Sequence, residues 1–379
     1  MSDLALMLVF ALMGIFLVLI AAHAKRTMPY VYCSAKVSAW EARSIPEPRL
    51  LEFADAAKVT NVLAGLDDTD YGPYLKDLPK LEKIDVAEVE RAFKMTLSER
   101  YRDLLAMVPK QGKGVIAKLI QRMDLWNLKA LLAAIHNKLP KEERLKDIIP
   151  SPTLPIHRLE LLAATESFEE FLKYLEGTEY FEVVSEALRA YEKLGLIALT
   201  SALDKYYYSS LWAEALKVKG QRQILRALIG YEIDAVNIKL ILRLKKERAA
   251  PDEIDKFVIR PSHELSEETL RSMILAEDVP SSVKAISHTR YGPMLAEALS
   301  HFESTGSLLA MEKSLDEGLL RICKWMSIAK LLSLAPVVSY IYMKEAEVKN
   351  LRMIIRLKAD GIEPEKIKEL LVKVPKIEL

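Results

Sequence analysis

The sequence predicts an all-α protein in which three similar helical bundles follow an N-terminal hydrophobic helix. Glycine is scarce, at 13 of 379 residues, whereas the strong helix formers Leu, Ala, Glu, Lys and Arg dominate. No stretch has the convincing alternation of a β-strand. Two short patterns recur at a period of about 110 residues, the size of a domain rather than of a short solenoid repeat.

The first element is an uncharged stretch from Leu4 to Ala22, which reads LALMLVFALMGIFLVLIAA. As a helix it would be roughly 28 Å long, close to the hydrocarbon thickness of a bilayer. Asp3 precedes it, and Lys25 and Arg26 follow it. These flanks predict a retained membrane span with everything after Arg26 in the cytoplasm. A cleaved signal peptide, suggested by the small residues at 22–24, and a buried core helix are the alternatives.

The recurring patterns divide the chain into four units. We predict a membrane-spanning segment at 1–25 and helical repeats at 29–142, 150–250 and 260–379. Proline-containing stretches, 139–152 and 248–262, separate the repeats.

The first pattern is Thr-x-Tyr. It occurs at Thr69 and Tyr71, at Thr178 and Tyr180, and at Thr289 and Tyr291. In each copy the Thr is expected to open a helix as its N-cap. Gly-Pro follows in two copies, so the helix could instead start there with Pro in its first turn.

Within each copy we expect the same order of helices. A helix with apolar periodicity comes first, at 49–58, 157–176 and 266–277. After Thr-x-Tyr a longer helix follows, around 86–107, 185–217 and 307–333. A break then occurs at Gly112 and Gly114, at Gly220, and at Pro336. The final helix carries the second pattern.

That second pattern is [DE]-x-x-N-[LI]-[KR]-x-[LI]-[LI]. Its acid and amide are Asp124 and Asn127, Asp234 and Asn237, and Glu347 and Asn350. On a helix these two share a face with the apolar positions, whereas the Lys or Arg points elsewhere. A polar group left bare in a core costs about 1–3 kcal/mol. We therefore interpret the pairs as polar clamps that dock the last helix on its own bundle. A ligand or ion site is the alternative.

Few features indicate chemistry. Lys plus Arg number 54 and Asp plus Glu 53, a balance that disfavours a nucleic-acid partner. The run Lys205-Tyr206-Tyr207-Tyr208 is then better explained as a packing patch than as a base-stacking surface. Asp67, Asp68 and Asp70 suit a helix N-terminus as well as a cation site.

The residues of known catalytic and metal motifs are also missing. Cys33 and Cys323 are the only cysteines, and the histidines have no ligand-spaced acid, so neither a disulfide framework nor a zinc site is expected. No catalytic or nucleotide-binding motif is present. We therefore expect a scaffold without an active site, cofactor, metal or small-molecule substrate.

Three helical copies, each with Thr-x-Tyr and a later [DE]-x-x-N-[LI]-[KR] helix, resemble the C subunit of archaeal A-type ATP synthases, whose family includes the d subunit of vacuolar ATPases. The string PYVYCSAKVSAWEARSI at 29–45 is similar to that family's start. The likeness extends from Pro29 to the C-terminus.

The resemblance implies a funnel of three helical domains around a pseudo-three-fold axis. A protein of this kind is a non-catalytic socket between the central shaft and the membrane proteolipid ring, and serves ion transport coupled to ATP synthesis or hydrolysis. The hydrophobic N-terminus departs from the soluble members and suggests a helix in or beside the ring. A membrane-anchored helical adaptor of another complex is the alternative, and an enzyme is a distant third.

Overall fold

The computed structural model describes residues 3–76, 85–151, 153–260 and 262–374. Within these ranges the chain forms α-helices and no β-strand, so the predicted fold class is confirmed. Parts of the predicted units, residues 1–2, 77–84, 152, 261 and 375–379, lie outside the described residues.

The N-terminal helix α1 runs Asp3–Glu41. The first repeat contributes α2 (Glu47–Asp55), α3 (Val59–Ala64), α4 (Gly72–Leu75), α5 (Val86–Met107), α6 (Lys110–Ile120), α7 (Arg122–His136) and α8 (Lys141–Asp147). The second contributes α9 (Ile156–Ala164), α10 (Phe168–Leu175), α11 (Phe181–Leu194), α12 (Leu196–Lys217), α13 (Arg222–Lys246) and α14 (Pro251–Phe257). The third contributes α15 (Glu267–Leu275), α16 (Val279–Ala285), α17 (Tyr291–Thr305), α18 (Leu309–Ala329), α19 (Ala335–Ala359) and α20 (Pro364–Leu370).

Each repeat opens with two short helices, and the predicted opening helices at 49–58 and 266–277 correspond to the first of them, α2 and α15. Only the prediction at 157–176 merged two helices, α9 and α10, into one. In the second repeat, Ser167 interrupts the predicted helix at 157–176 and caps α10 by accepting from the Glu170 amide at 3.2 Å. In the third, Asp278 caps α16 through the Ser281 amide at 2.8 Å. Such side chains offer the backbone a local hydrogen bond that competes with a continuous helix.

The predicted break at Gly112 and Gly114 is wrong, because both glycines lie inside α6. The chain turns at Val108 and Pro109 instead. A Cβ at Gly112 would lie 2.6 Å from the side chain of Leu334, so this glycine permits a close approach of α6 to the segment before α19. The break predicted at Gly220 is present, with φ +77°, and Pro336 lies in the first turn of α19.

The hydrophobic core joins each final helix to the repeat that follows it in the chain. Ile238 and Leu242 of α13 share a cluster of buried residues with Met273 and Leu295 of the third repeat. The third repeat contacts the first. Its final helix α19 packs against the beginning of the first repeat, with Leu351 and Ile355 in one cluster with Leu50, Phe53 and Tyr71. The three repeats therefore close into a ring.

The proline-containing stretches between repeats are partly helical. They contain α8 and α14, and α20 occupies the same place after the third repeat. Each short helix leads into an extended, buried apolar pair: Ile148 and Ile149, Val258 and Ile259, and Leu371 and Val372.

Candidate functional site

The Tyr of each Thr-x-Tyr pattern bonds the acid of another repeat. The Tyr180 hydroxyl donates to Asp124 at 2.9 Å, and that of Tyr291 donates to Asp234 at 3.0 Å. In both cases the tyrosine lies in the first part of the repeat that follows the repeat of the acid. The Tyr71 hydroxyl donates to Glu347 of the third repeat at 2.5 Å and completes the cycle. The acids of the clamps thus join neighbouring repeats, which corrects, for the acids, the prediction that each clamp docks a helix on its own bundle.

The Thr of the pattern connects two turns more than it caps a helix. In each copy its hydroxyl donates to the carbonyl three residues earlier, at 2.6 Å for Thr69 and 2.7 Å for Thr178 and Thr289. It accepts from the Tyr amide two residues later at a longer 3.3 Å. The expected cap is therefore only the weaker half of the interaction. Through the Thr hydroxyl, the Tyr backbone is connected to the turn that precedes it.

The three asparagines make identical pairs of bonds with the backbone 22 residues later. Asn127 donates to the carbonyl of Ile149 and accepts from its amide, both at 2.9 Å. Asn237 does the same with Ile259, at 2.9 and 2.8 Å. Asn350 does so with Val372, at 2.7 and 3.0 Å. Each amide satisfies an extended segment that lacks helical partners of its own.

Each acid also fixes the loop that leads into the next repeat. Asp124 accepts from the Leu154 amide at 3.2 Å, and Asp234 from the His263 and Glu264 amides at 2.8 and 2.7 Å. Glu347 accepts from the Ile45 amide at 2.9 Å, the corresponding loop of the first repeat.

Burial raises the pKa of the Asp124 and Asp234 carboxyls, although the hydrogen-bond donors around them act in the opposite direction. It also raises the pKa of Tyr180 and Tyr291, which the neighbouring carboxyl reinforces. The tyrosines consequently remain donors throughout the accessible pH range.

A second cycle, which the sequence reasoning missed, consists of ion pairs. The basic residue two places after each Asn pairs with an acid on a long helix of the next repeat. Lys129 pairs with Asp204 at 2.5 Å, Lys239 pairs with Asp316, and Arg352 pairs with Glu90 at 2.8 Å. The three acids lie 114 and 112 residues apart. This matching period was the available signal.

The three repeats meet at a buried charged centre. Arg122, Glu232 and Glu345 occupy the same position in each repeat, two residues before the acid of the pattern. The Arg122 guanidinium lies 2.7 Å from Glu232 and 2.5 Å from Glu345. Equivalent positions that meet one another lie at the pseudo-three-fold axis. One guanidinium there holds two carboxylates together.

Tyrosine hydroxyls complete this centre. Tyr208 and Tyr342 donate to Glu232 at 3.1 and 2.6 Å, and Tyr101 donates to Glu345. Burial raises the pKa of Glu345, and Arg122 opposes that shift. Because Tyr207 and Tyr208 are buried in α12, the predicted packing patch is confirmed for these two residues.

A cavity of about 610 Å³ opens onto the centre. Its lining includes Arg122, Glu232 and Glu345, the apolar side chains of Trp126 and Leu319, and exposed cations on α19 such as Lys349 and Arg356. This concavity has a charged interior, an apolar wall and a basic edge.

The cluster Asp67, Asp68 and Asp70 does not converge on a cation site. Asp70 is buried and pairs with Arg43 at 3.1 Å and Arg100 at 3.0 Å. In the part of the chain that the structure describes, no group of three His, Cys, Asp or Glu side chains is placed to hold a metal ion.

Helix α1 has two different halves. Its second half docks on the body through Tyr30, Cys33, Val37 and Trp40, which are buried at helical spacing. In the first half, the large apolar side chains from Met7 to Ile20 are all exposed. No single described helix has the length and hydropathy of a membrane span, but the segments Met7–Ala22 and Thr27–Glu41, which meet at a 40° bend, do so together.

The fold and these contacts define a triplicated all-helical protein whose repeats form a closed ring. Residues 33–370 match the family described as ATP synthase (C/AC39) subunit. The chain therefore belongs to the ATP synthase (C/AC39) subunit family, which confirms the resemblance inferred from its sequence.

Similar proteins cover most of the chain. The C subunit of the A-type ATP synthase of Methanocaldococcus jannaschii is 33% identical over 347 residues, which are 91% of this chain and 87% of that protein. Its counterpart in Pyrococcus abyssi is 32% identical over 343 residues, 90% of each chain. That of Methanobrevibacter smithii is 31% identical over 350 residues, 91% of this chain and 88% of that protein. The family match begins at residue 33, so the exposed apolar half of α1 lies outside it.

Proposed function

We propose that the protein is the non-catalytic central-stalk component of an A-type ATP synthase, a socket that couples the rotating shaft to the membrane proteolipid ring. The family membership and the relatives named as C subunits of A-type ATP synthases support this assignment. The observation that carries the mechanical part is the closed ring of repeats around a central cavity.

A coupling part must transmit torque without deforming, and the ring contacts suit this task. A chain of three bundles with free ends could unwind under load. Here Tyr71–Glu347 and Arg352–Glu90 tie the last repeat to the first, so a twist applied at one repeat is shared by all three. The buried network at the axis resists sliding of one final helix against another.

The central cavity would receive the end of the shaft. Its apolar wall supplies an anchor, and its exposed cations suit an acidic helical end. The chain's own part in ATP synthesis and ion transport is then to convey rotation, with no bond made or broken and no cofactor required.

The test is co-purification of the full chain with the shaft proteins and the proteolipid ring from native membranes. Arg356→Glu, on the cavity, should weaken shaft binding. Arg243→Glu is the matched control, since both arginines are 61% exposed and pair with a glutamate, but Arg243 does not line the cavity. Recovery of neither partner with folded wild-type protein would refute the proposal.

We also propose that the apolar half of α1 anchors the chain in the membrane, with the body on the cytoplasmic side. The exposure of every large apolar side chain from Met7 to Ile20 supports this, because water would strongly disfavour such a surface. Deletion of residues 1–24 should move the chain from the membrane to the soluble fraction. A full-length chain that is already soluble would contradict the anchor.

The same exposed helix supports the second candidate function, a membrane-anchored helical adaptor of another complex. The apolar half lies outside the family match, so the family membership does not explain it. The identity of the proteins that accompany the chain from native membranes separates the two functions.

A further inference from the structure

An apolar patch is exposed on the body near the docked half of α1. It consists of Trp325 and Ile328 at the end of α18 and Leu331 and Leu332 in the loop before α19, each about half exposed. Adjoining large apolar side chains left to water mark interaction surfaces.

Two contacts place this patch beside α1. The Ser34 hydroxyl donates to the carbonyl of Leu331 at 2.5 Å. Lys324 lies close to Glu41, and both line a cavity of about 360 Å³. The segment from Lys324 to Leu331 therefore runs antiparallel to α1. Lys324 lies beside the C-terminal end of α1, and Leu331 lies closer to its apolar half. The patch therefore lies along the docked half of α1, and its Leu331 end is nearer to the proposed anchor.

Most charges near this patch are positive, although Glu41 lies beside Lys324 and Asp103 shares a pocket with Tyr32 and Lys36. Between Leu4 and Trp40 the chain has Lys25, Arg26 and Lys36 and no carboxylate. Between Gly318 and Met343 it has Arg321, Lys324 and Lys330 and again no carboxylate. Arg321 is four residues before Trp325 and seven before Ile328, so it shares their face of α18. The face combines apolar and aromatic side chains with cations.

We propose that this patch docks on an anionic lipid surface, so that the body rests on the bilayer beside its anchor. Helical faces with Trp and Leu in the headgroup region and Lys or Arg beside them bind anionic membranes. The exposed Val31 and Tyr32 on the docked half of α1 extend the same apolar and aromatic character. The inference rests on the membrane anchor proposed above and is independent of the shaft.

The bend in α1 decides whether lipid is within reach. Ser34 is 12 residues beyond Ala22, roughly 18 Å along a straight helix. With an upright span and the 40° bend, its level is about 15 Å above the hydrocarbon, beyond a headgroup layer of roughly 6 Å. A span tilted by about 40° in the sense of the bend lowers it to roughly 8 Å, and side chains that extend about 5 Å from the helix axis then reach the headgroup layer. The proposal therefore requires a tilted anchor with the docked half lying close to the surface.

The test uses the full-length chain reconstituted into vesicles of brominated phospholipid, either zwitterionic or with added anionic lipid. Of the four tryptophans, Trp325 is about half exposed, Trp126 is partly buried in the lining of the central cavity, and Trp40 and Trp212 are buried. We expect tryptophan quenching roughly twofold or more stronger in the anionic vesicles. Trp325→Phe should remove that difference.

The charge requirement has its own variants. Arg321→Glu with Lys330→Glu should abolish the additional quenching, whereas Lys173→Glu with Lys205→Glu, exposed lysines on the second repeat, should not. Equal quenching in both vesicles, or none in a chain that floats with them, would overturn the proposal and assign the patch to a protein partner. If the full-length chain does not float with the vesicles, both the lipid docking of the patch and the membrane anchor are refuted. Failure to recover shaft or ring would leave the quenching unchanged, so the two proposals fail separately.

Discussion

Tyr71 and Glu347, 276 residues apart in sequence, form a 2.5 Å hydrogen bond that closes the ring of repeats. Lys344 reinforces it, with its ammonium 2.6 Å from Glu347 and 4.6 Å from the centre of the Tyr71 ring. The corresponding positions in the other repeats are Gln121 and Tyr231, so this ion pair has no counterpart there. The closing contact joins the two repeats that are not adjacent in the chain, and of the three contacts it alone has an additional lysine.

The first prediction compares the closing tyrosine with an internal one. Tyr71→Phe removes a donor from a buried carboxylate and should cost about 1.5–3 kcal/mol of unfolding free energy, as should Tyr180→Phe. Only Tyr71→Phe should free the start of the first repeat, because 56 residues of chain join Tyr180 to Asp124, whereas 276 separate Tyr71 from Glu347. Hydrogen exchange should become faster in residues 47–75 of that variant. Equal, uniform changes in both would show that the ring has no separate seam.

The second prediction concerns the amide clamps. Asn237→Leu leaves the buried amide and carbonyl of Ile259 without partners, at about 1–3 kcal/mol each. Asn137→Leu is the control, because Asn137 is exposed at the end of α7. Denaturant unfolding should therefore show a larger loss of stability for Asn237→Leu than for Asn137→Leu. An unchanged or raised stability in Asn237→Leu would contradict the clamp.

The sequence predicted the helices and their triplication well, because periodicity and recurring patterns are local properties of the chain. It did not predict which repeat each acid would contact. A period states that units are alike, but not that the final helix of one packs on the next. For the same reason the sequence did not predict the ion pairs of Glu90, Asp204 and Asp316, although the spacing of these acids follows the period. The docking of the second half of α1 on the body was also not predicted, because the apolar run before it dominates the hydrophobic pattern of this region.

The third prediction addresses the charged centre. Arg122→Met leaves Glu232 and Glu345 buried together without their cation, which should cost about 3–5 kcal/mol. Adding Glu232→Gln and Glu345→Gln should recover much of that loss, because the carboxylates no longer need compensation. A thermodynamic cycle from denaturant unfolding measures the coupling. Additive losses would mean that the three side chains do not act as one unit.

The last prediction uses the equivalent carboxyls Asp204 and Asp316, whose environments differ by one lysine. Burial raises the pKa of Asp204, and Lys129 does not fully offset it. Burial also acts on Asp316, but Lys239 and Lys349 together hold its pKa below the ordinary value of 3.8. The same position in two repeats therefore has a carboxyl pKa that is shifted in opposite directions.

The two shifts have opposite consequences for stability. A lowered pKa in the folded state means that Asp316 stabilises the protein above the unfolded pKa, and that this contribution is lost as the pH falls through the folded value. A raised pKa means that Asp204 contributes most below the unfolded value and loses that contribution as the pH rises through the folded one. Unfolding of Asp316→Asn should therefore be less sensitive than wild type to acid below about pH 4. The free energy of unfolding of Asp204→Asn should fall least below that of the wild type at neutral pH. Parallel pH profiles for both variants would show that Lys349 does not distinguish the two sites.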